Sequence, residues 1–312
     1  AARSATKPNG FLIPFEVLQR DLAVGSPTAG GHTVATNLLS NRFIDLLRPT
    51  SIVANLGATY LTGLVGKVAV PRQTASASAY WVAENGAPTE SQQAFDQVTM
   101  TPRTLGAFTD ISRKLLLQSS IDVEGFVRND LATVVALAID LAGINGSGAS
   151  NQPTGILNTA GIGSVAGGTN GLIPTWANIV DLESAIAVAN ADVGNMGYLT
   201  NAKVRGKLKQ VSKVSGQNGF VYDGDMVNGY RTGISNQVPS NLTKGSASGI
   251  CSAILFGNFA DLIIGQWGSL DLMVDPYTGS TAGTVRVVAL QDVDVAVRHA
   301  ESFAAMKDAL TA

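Results

Sequence analysis

"IDVEGFVRNDLATVVALAIDLAGINGSGASNQPTGILN", residues 121 to 158, joins a long periodic run to a glycine-rich segment, and the order of the two decides what each can be. In the first part Val123, Val127, Leu131, Val134, Ala138 and Leu141 recur at steps of three and four, the apolar stripe of an amphipathic helix. A helix over 121–143 would span roughly 35 Å at 1.5 Å per residue. Ser119 and Ser120 stand where a cap belongs, and Asp122 and Glu124 put negative charge at the positive end of the dipole. A phosphate loop must follow a strand and open a helix, so that backbone N–H groups face the anion. "NGSGASNQPTG" does the reverse: it follows a helix C-terminus, where carbonyls repel anions, and it lacks the Gly-Lys-Ser/Thr ending. The spacing therefore predicts a structural turn at 144–158 and no nucleotide site.

Other apparent motifs weaken in the same way. Gly161, Gly163 and Ala166, with Asp181 further on, fit a dinucleotide fingerprint. But "GGTNGLIP" occupies the place where the helix must begin, so the segment reads as loop. "GLVGKV" at 63–68 has glycines too close for a Walker motif, and Val68 replaces the metal-binding hydroxyl. His32 and His299, one in an arm and one in a strand, have no ligand-spaced companions, so neither a metal nor any other cofactor is expected. No Gly-x-Ser-x-Gly elbow occurs, and no catalytic residue is assigned. Asp292 and Asp294 share a strand face and read either as a carboxylate pair or as a solvated face. Cys251, in "GICSAILF", reads as a buried structural thiol. The basic residues Lys203, Arg205, Lys207, Lys209 and Lys213 read either as a solvated helix face or as a contact for an anionic partner. The longest apolar run, Leu131 to Ile139, stops at Asp140, well short of a membrane span.

Around the long helix the periods change. Residues 1–31 read as an extended arm with a short helical piece near Glu16 to Leu22, and 34–48 have helical spacing. "KVAVPR", "AYWVAE" and "FDQVTMTPRTLGAFTDIS" read as strands. They form a long two-stranded excursion around "NGAPTESQQA" with little of its own to bury. An isolated hairpin is marginal in water, so Tyr80, Trp81, Val98 and Met100 are expected to pack on another subunit. Further on, "TWANIVDLESAIAVAN" reads as a helix capped by Thr175, "MGYLTN" as a strand and "AKVRGKLKQV" as a basic helix. "VSGQNGFVYDGDMVNGYRTG" reads as loop and hairpin, and "SAILFGNFADLIIGQ" and "LDLMVDP" as strands around a turn. In the tail, Val285, Val287 and Ala289 share one side, continued by Val293, Val295 and Val297 after a one-residue phase check at Leu290. Strands this far apart in sequence suit an α+β fold.

Charged residues are only 14% of the 312, against roughly 25% in ordinary soluble domains. Either neighbouring copies cover part of the surface or uncharged polar residues furnish it. The net charge of −2 argues against a dedicated nucleic-acid binder. The chain opens on Ala1-Ala2-Arg3, as removal of a leader by a signal peptidase or a maturation protease would leave it.

Taken in order, "NGFLIP", "YWVAENGAPTES", "DISRKLLLQSSIDVEGFVRNDL", "GINGSGASNQPTGILN", "FGNFADLIIGQWGSLDLMVD" and "VALQDVDVAVRHAESFAAMK" resemble the tailed-bacteriophage major capsid protein family, with its Hong Kong phage-type fold. No single piece is diagnostic; their order and spacing are. The resemblance implies an N-terminal arm and first helix (1–48), a peripheral-domain connection (49–63) and an extended loop (64–101). It implies a peripheral domain with a spine helix (102–173), an axial domain (174–275) and C-terminal peripheral strands (276–312). It also implies hexamers and pentamers closing an icosahedral shell around double-stranded DNA. The implied partners are further copies, a portal, decoration proteins and a maturation protease acting on the precursor, with no membrane. The implied location is the virion, assembled in the host cytoplasm. Tyr80, Trp81, Glu84, Arg72 and Arg103 are the candidates for intersubunit contact. An encapsulin-type nanocompartment shell is the alternative with the same fold.

Some members of that family link subunits through an isopeptide bond between a Lys of the extended loop and an Asn, aided by an acid. Here 73–102 contains no Lys, and rough alignment puts Val285 at the Asn position and Asp292 near the acid. A non-covalent shell is expected.

Overall fold

The structure is a computed structural model that describes residues 46–49, 51–119, 122–214, 216 and 219–311. The chain divides into two units, 1–46 and 47–312, and all of the described residues but Leu46 belong to the second. The arm, the short helix near Glu16 to Leu22 and nearly all of the helix expected over 34–48 lie outside the described residues.

A one-turn helix α1 (Val53–Leu56) precedes β1 (Thr59–Leu61), β2 (Val68–Ala75), β3 (Ala94–Met100) and β4 (Arg103–Ser112). Then come α2 (Arg113–Gln118) and the long α3 (Val123–Asn145). β5 (Gly163–Ser164), α4 (Trp176–Val188), β6 (Met196–Thr200) and α5 (Ala202–Leu208) follow. Short strands β7 (Tyr222–Asp223), β8 (Met226–Val227), β9 (Tyr230–Ile234) and β10 (Leu242–Lys244) lead to four longer ones. These are β11 (Ala247–Asn258), β12 (Leu262–Asp275), β13 (Thr284–Val297) and β14 (Phe303–Leu310).

The strands make two main sheets and one hairpin. β1-β12-β13-β4 is four-stranded, antiparallel except where β1 runs parallel to β12. β5-β14-β11-β6-β9-β8-β7 is the larger sheet, with β10 added on β11. Among the described residues β2 pairs only with β3. The chain crosses between the main sheets three times, by way of α3 after β4 and directly after β11 and after β13, and Asp261 ties the last two crossings together. Its Oδ2 accepts from Ser302 Oγ at 2.6 Å, and its carbonyl accepts from Arg298 N at 2.8 Å.

Strand alternation sorts the core into layers. On the larger sheet Leu199, Ala253, Leu255, Phe303 and Ala305 face a central core shared with α3. Their neighbours Tyr198, Ile254, Phe256, Ala304 and Met306 face the opposite side, where α4 and α5 supply Ile179, Leu182, Ile186, Val204 and Leu208. Both faces are covered, so every residue of β6 is buried. On the four-stranded sheet Ile111, Leu262, Ile264, Val287, Ala289, Val293 and Val295 turn toward the central core. Ile263, Trp267 and Ala296 turn the other way, under the base of the β2–β3 hairpin.

Several expectations change. α3 runs from Val123 to Asn145 and is capped by Asp122, whose side chain accepts from Gly125 N at 3.0 Å; Ser119 instead ends α2. The buried stripe in its second half is Leu131, Val135, Ile139 and Ala142, not Val134, Ala138 and Leu141. Both series are apolar at helical spacing, and only the sheets packed beneath select one. "AYWVAE" is not a strand: 76–93 have no ladder, because no strand among the described residues lies beside them. β13 keeps one phase throughout, with Gln291 also buried; the irregularity is a bulge in its partner, between Trp267 and Asp271 of β12. Gly268, at φ 74°, supplies the left-handed residue there. His299 lies just beyond β13 and is exposed.

The turn after α3 follows the sequence reading. Ser147 and Thr154 bridge, and Gly148 N donates to Pro153 O at 3.0 Å. Gly146 and Gly155 face each other so closely that a Cβ on either would fall on backbone atoms of the opposite side. Their glycines serve close backbone approach. β5 interrupts the 161–166 loop, and no helix begins before Trp176. Thr175 and Asn178 form a reciprocal capping box on α4. Cys251 is fully buried, and burial pushes its thiol pKa up.

Candidate functional site

The β2–β3 hairpin changes character along its length. At its base Val68 pairs Met100 and Val70 pairs Val98. Met100 is fully buried against Ile263, Trp267 and Ala296, with Leu61, Leu64, Val68, Val70 and Val98 around it. Trp267 Nε1 donates to Gly66 O at 2.6 Å. Asp294, itself buried, accepts from Thr101 N at 2.8 Å and lies 3.5 Å from Arg103 Nε. Arg103 Nη1 donates to Gln152 O at 2.6 Å, which ties the hairpin root to the turn after α3. Met100 thus belongs to the core of its own chain, contrary to the intersubunit placement expected for it, and Val98 packs beside it. An apolar residue next to the root meets the sheet its own chain provides.

Beyond the root the support ends. Arg72 and Asp96 face each other in register and form an ion pair at 2.9 Å; the Gln97 N–H and Arg72 hold the Asp96 carboxyl below its ordinary pKa. Pro71 lies on a strand whose other edge meets no strand among the described residues, a position where proline is tolerated. Past the bulge at Gln73–Ala75 the two arms touch through Ser91 and Ser78, with Ser78 N donating to Ser91 Oγ at 2.9 Å. A turn closes at Ala83–Gly86, with Asn85 at φ 66°. Trp81 is fully exposed, Tyr80 half exposed, and Glu84 exposed beside them. Of the five candidates, then, three lie together on the outer hairpin. Arg72 sits midway with its charge paired, and Arg103 sits at the root, engaged within the chain.

Other apolar side chains are exposed elsewhere. Leu115, Leu116 and Leu117 on α2, and Val134 and Leu141 on α3, present aliphatic surface. Leu141 borders a groove with Ala138, Arg103, Leu105 and Pro153. Nearby, Arg286 holds Asp110 through two bonds of 2.7 and 2.8 Å and lies over the Phe108 ring, and that guanidinium depresses the Asp110 carboxyl pKa.

One functional-looking feature escaped the sequence reading. Asp140 is buried, and its Oδ1 accepts from Val53 N, Ile52 N and Ser51 Oγ at 2.9, 3.1 and 3.1 Å. It caps α1 from a different helix, and burial pushes its carboxyl pKa up. At the other end of α1, Arg231 donates to the carbonyls of Asn55 and Leu56. The only sequence signal was a carboxylate inside an apolar helix. Asp292 and Asp294 do not pair: Asp292 accepts from Thr104 Oγ1 at 2.6 Å, and Asp294 serves the hairpin root. Among the described residues no group of three or more His, Cys, Asp or Glu could hold a metal ion, and no helix is long and apolar enough to cross a membrane.

The phage capsid family model matches residues 30–308. The major capsid protein of Halomonas phage phiHAP-1 is 32% identical over 307 residues, covering 97% of this chain and 49% of the relative. That of Klebsiella oxytoca phage phiKO2 is 26% identical over 262 residues, covering 80% and 59%. The chain thus spans about half the length of the curated relatives it matches. Among solved structures, the capsid of a native GTA particle superposes with a TM-score of 0.74 at 21% identity, covering 92% of this chain and all of that one. The structure from Gordonia phage Cozz gives 0.68 at 16% identity, covering 98% and 99%.

Proposed function

The chain belongs to the phage capsid family, and on that premise we propose that it is a shell subunit, a major capsid protein that assembles with copies of itself into hexamers and pentamers of an icosahedral head. The observation that carries this reading is the outer hairpin: a wholly exposed Trp81 on a segment with no core of its own. A subunit that keeps such a side chain in water gains when a neighbour covers it. Tyr80, Trp81 and Glu84 make that contact, with Arg72 and Arg103 holding the hairpin they project from. The exposed leucines of α2 and the outer side of α3 offer apolar surface of the kind a second copy would cover. Relatives named as major capsid proteins favour this reading over an encapsulin-type shell.

The extended loop corresponds to the β2–β3 hairpin, the peripheral domain to α3 with the four-stranded sheet, and the axial domain to the larger sheet with α4 and α5. We propose an axial boundary near residue 258 for this assignment, which is supported by the pairing of β12 with β13 and of β14 with β11. Packaged double-stranded DNA, a portal, decoration proteins and a maturation protease are the further proposed partners. The virion, assembled in host cytoplasm, is the proposed location. The test is assembly of the purified full chain, followed by light scattering and electron microscopy. Closed particles are the expected result; a persistent monodisperse monomer, with no particles in the native source, would refute it.

A further inference from the structure

Six Asn-Gly pairs occur in the chain, and four of them, at Asn85, Asn145, Asn170 and Asn228, lie among the described residues. The pair carries a reactivity of its own. The backbone nitrogen that follows an Asn can attack the side-chain amide carbon, and glycine shields that nitrogen least because it has no Cβ. In a folded chain the reaction requires the Asn side chain and the next peptide to turn toward each other.

Three of the four pairs are held against that rotation. Asn145 Oδ1 accepts from Asn158 Nδ2 at 3.2 Å, and the buried Gly146 donates its N–H to Ala142 O at 3.0 Å. Asn170 Oδ1 accepts from Ser246 N at 3.0 Å, and Gly171 packs so tightly that a Cβ there would meet Asp308 O at 2.6 Å. Asn228 Nδ2 donates to Glu183 Oε2, in a turn closed by the pairing of Val227 with Tyr230. In each case a side-chain hydrogen bond must break before the ring can form.

Asn85 is different. It is exposed at the end of the β2–β3 excursion, and among the described residues its side chain has no hydrogen-bond partner. The peptide behind it is held by one bond, from Gly86 N to Ala83 O at 2.9 Å. No ladder runs through 76–93, where the two arms touch at Ser78 and Ser91. Exposed backbone bonds with few buried contacts around them open at low free energy.

We propose that Asn85 is a self-modifying site, converted in the folded subunit by its own backbone. Hydroxide removes the Gly86 N–H proton, and the nitrogen attacks Asn85 Cγ. The Cγ–Nδ2 bond breaks, Nδ2 takes a proton from water and leaves as ammonia, and a succinimide closes. Water then opens one of the two ring carbonyls. The product is Asp, or an iso-aspartate whose main chain runs through Cβ and Cγ. No oxidant or reductant takes part. Either product sets a second carboxylate next to Glu84, and one added negative charge takes the chain from −2 to −3.

The test holds the purified full chain in mildly alkaline buffer, folded and in urea. Peptide mass spectrometry follows the four asparagines, and enzymatic methyl transfer counts iso-aspartate. Each site's folded rate is read against its own rate in urea. Asn85 should keep most of its unfolded rate, while Asn145, Asn170 and Asn228 should each fall about tenfold or more, the effect of one hydrogen bond that must open first. Asn85→Gln, whose extra methylene makes ring closure much slower, should lose the signal at the tip and keep the circular dichroism of the parent. If folding suppresses conversion at Asn85 as strongly as at the other three, or one of those three reacts as fast in the folded chain, the proposal is overturned. On the shell-subunit reading particles cover the tip, so Asn85 should convert more slowly in particles than in free subunits. Equal rates in the two would refute that contact while the chemistry at Asn85 stands.

Discussion

Trp81→Ala and Met100→Ala should separate shell stability from subunit stability. Both residues belong to the β2–β3 excursion, but Met100 has no exposed surface and Trp81 has no covered surface. Truncating a buried Met leaves a cavity and costs about 2–5 kcal/mol. At about 2–4 °C per kcal/mol, the slope for large domains, the free subunit should melt about 4–20 °C lower. Removing a side chain already in water changes subunit stability by about 0.5 kcal/mol or less, or about 2 °C. In the shell the ranking changes. An aromatic side chain of about 200 Å² at about 25 cal/mol per Å² contributes about 5 kcal/mol when wholly covered, and about 2–3 when half covered. That loss recurs in every copy. Scanning calorimetry of particles and circular dichroism of free subunits, run on both variants, read the two stabilities. If Trp81→Ala lowers subunit melting as far as Met100→Ala does, or leaves particle melting unchanged, the exposed tip is not an intersubunit contact.

Asp140 gives a prediction in pH. Its folded carboxyl titrates above the ordinary 3.8 because burial penalises the charge, so the native state holds this proton longer than the unfolded chain does. This contribution to stability is therefore greatest below 3.8 and is lost as pH rises through the folded value. Asp140→Asn keeps an acceptor without the charge, so its melting difference from the parent should shift in its favour from acid to neutral pH; a shift the other way refutes the burial argument. Asp140→Ala should instead lose about 2–4 kcal/mol in denaturant melts, because Ile52 N and Val53 N are left unpaired. Gly146→Ala should cost about 1–3 kcal/mol by forcing the 146–155 turn apart, and micromolar ATP or NAD binding abolished by changes there would overturn the turn reading. With no Lys in 73–102, boiling particles in SDS should release single chains of 32.2 kDa; covalent ladders resistant to reductant would contradict this.

Features under short-range chemical control were legible in the residue order alone. Helical spacing located α3 to within two residues at each end, Thr175 announced the start of α4, and the glycine-rich run behind α3 announced a turn at 144–158. The order of its segments also carried the family resemblance. Tertiary structure decided matters that depend on distant partners. Val134 and Val135 fit a helical stripe equally well, and only the sheets beneath α3 select Val135 for the core. Tyr80 and Trp81 have strand-like composition but no neighbour to complete a ladder, whereas Met100 finds a sheet built from residues more than 160 positions later. Asp140 lies in an apolar run, and its role came into view only with Val53 folded against it, 87 positions away. Local pattern fixes which backbone states are cheap; burial and hydrogen-bond satisfaction depend on which atoms the fold brings within a few ångströms.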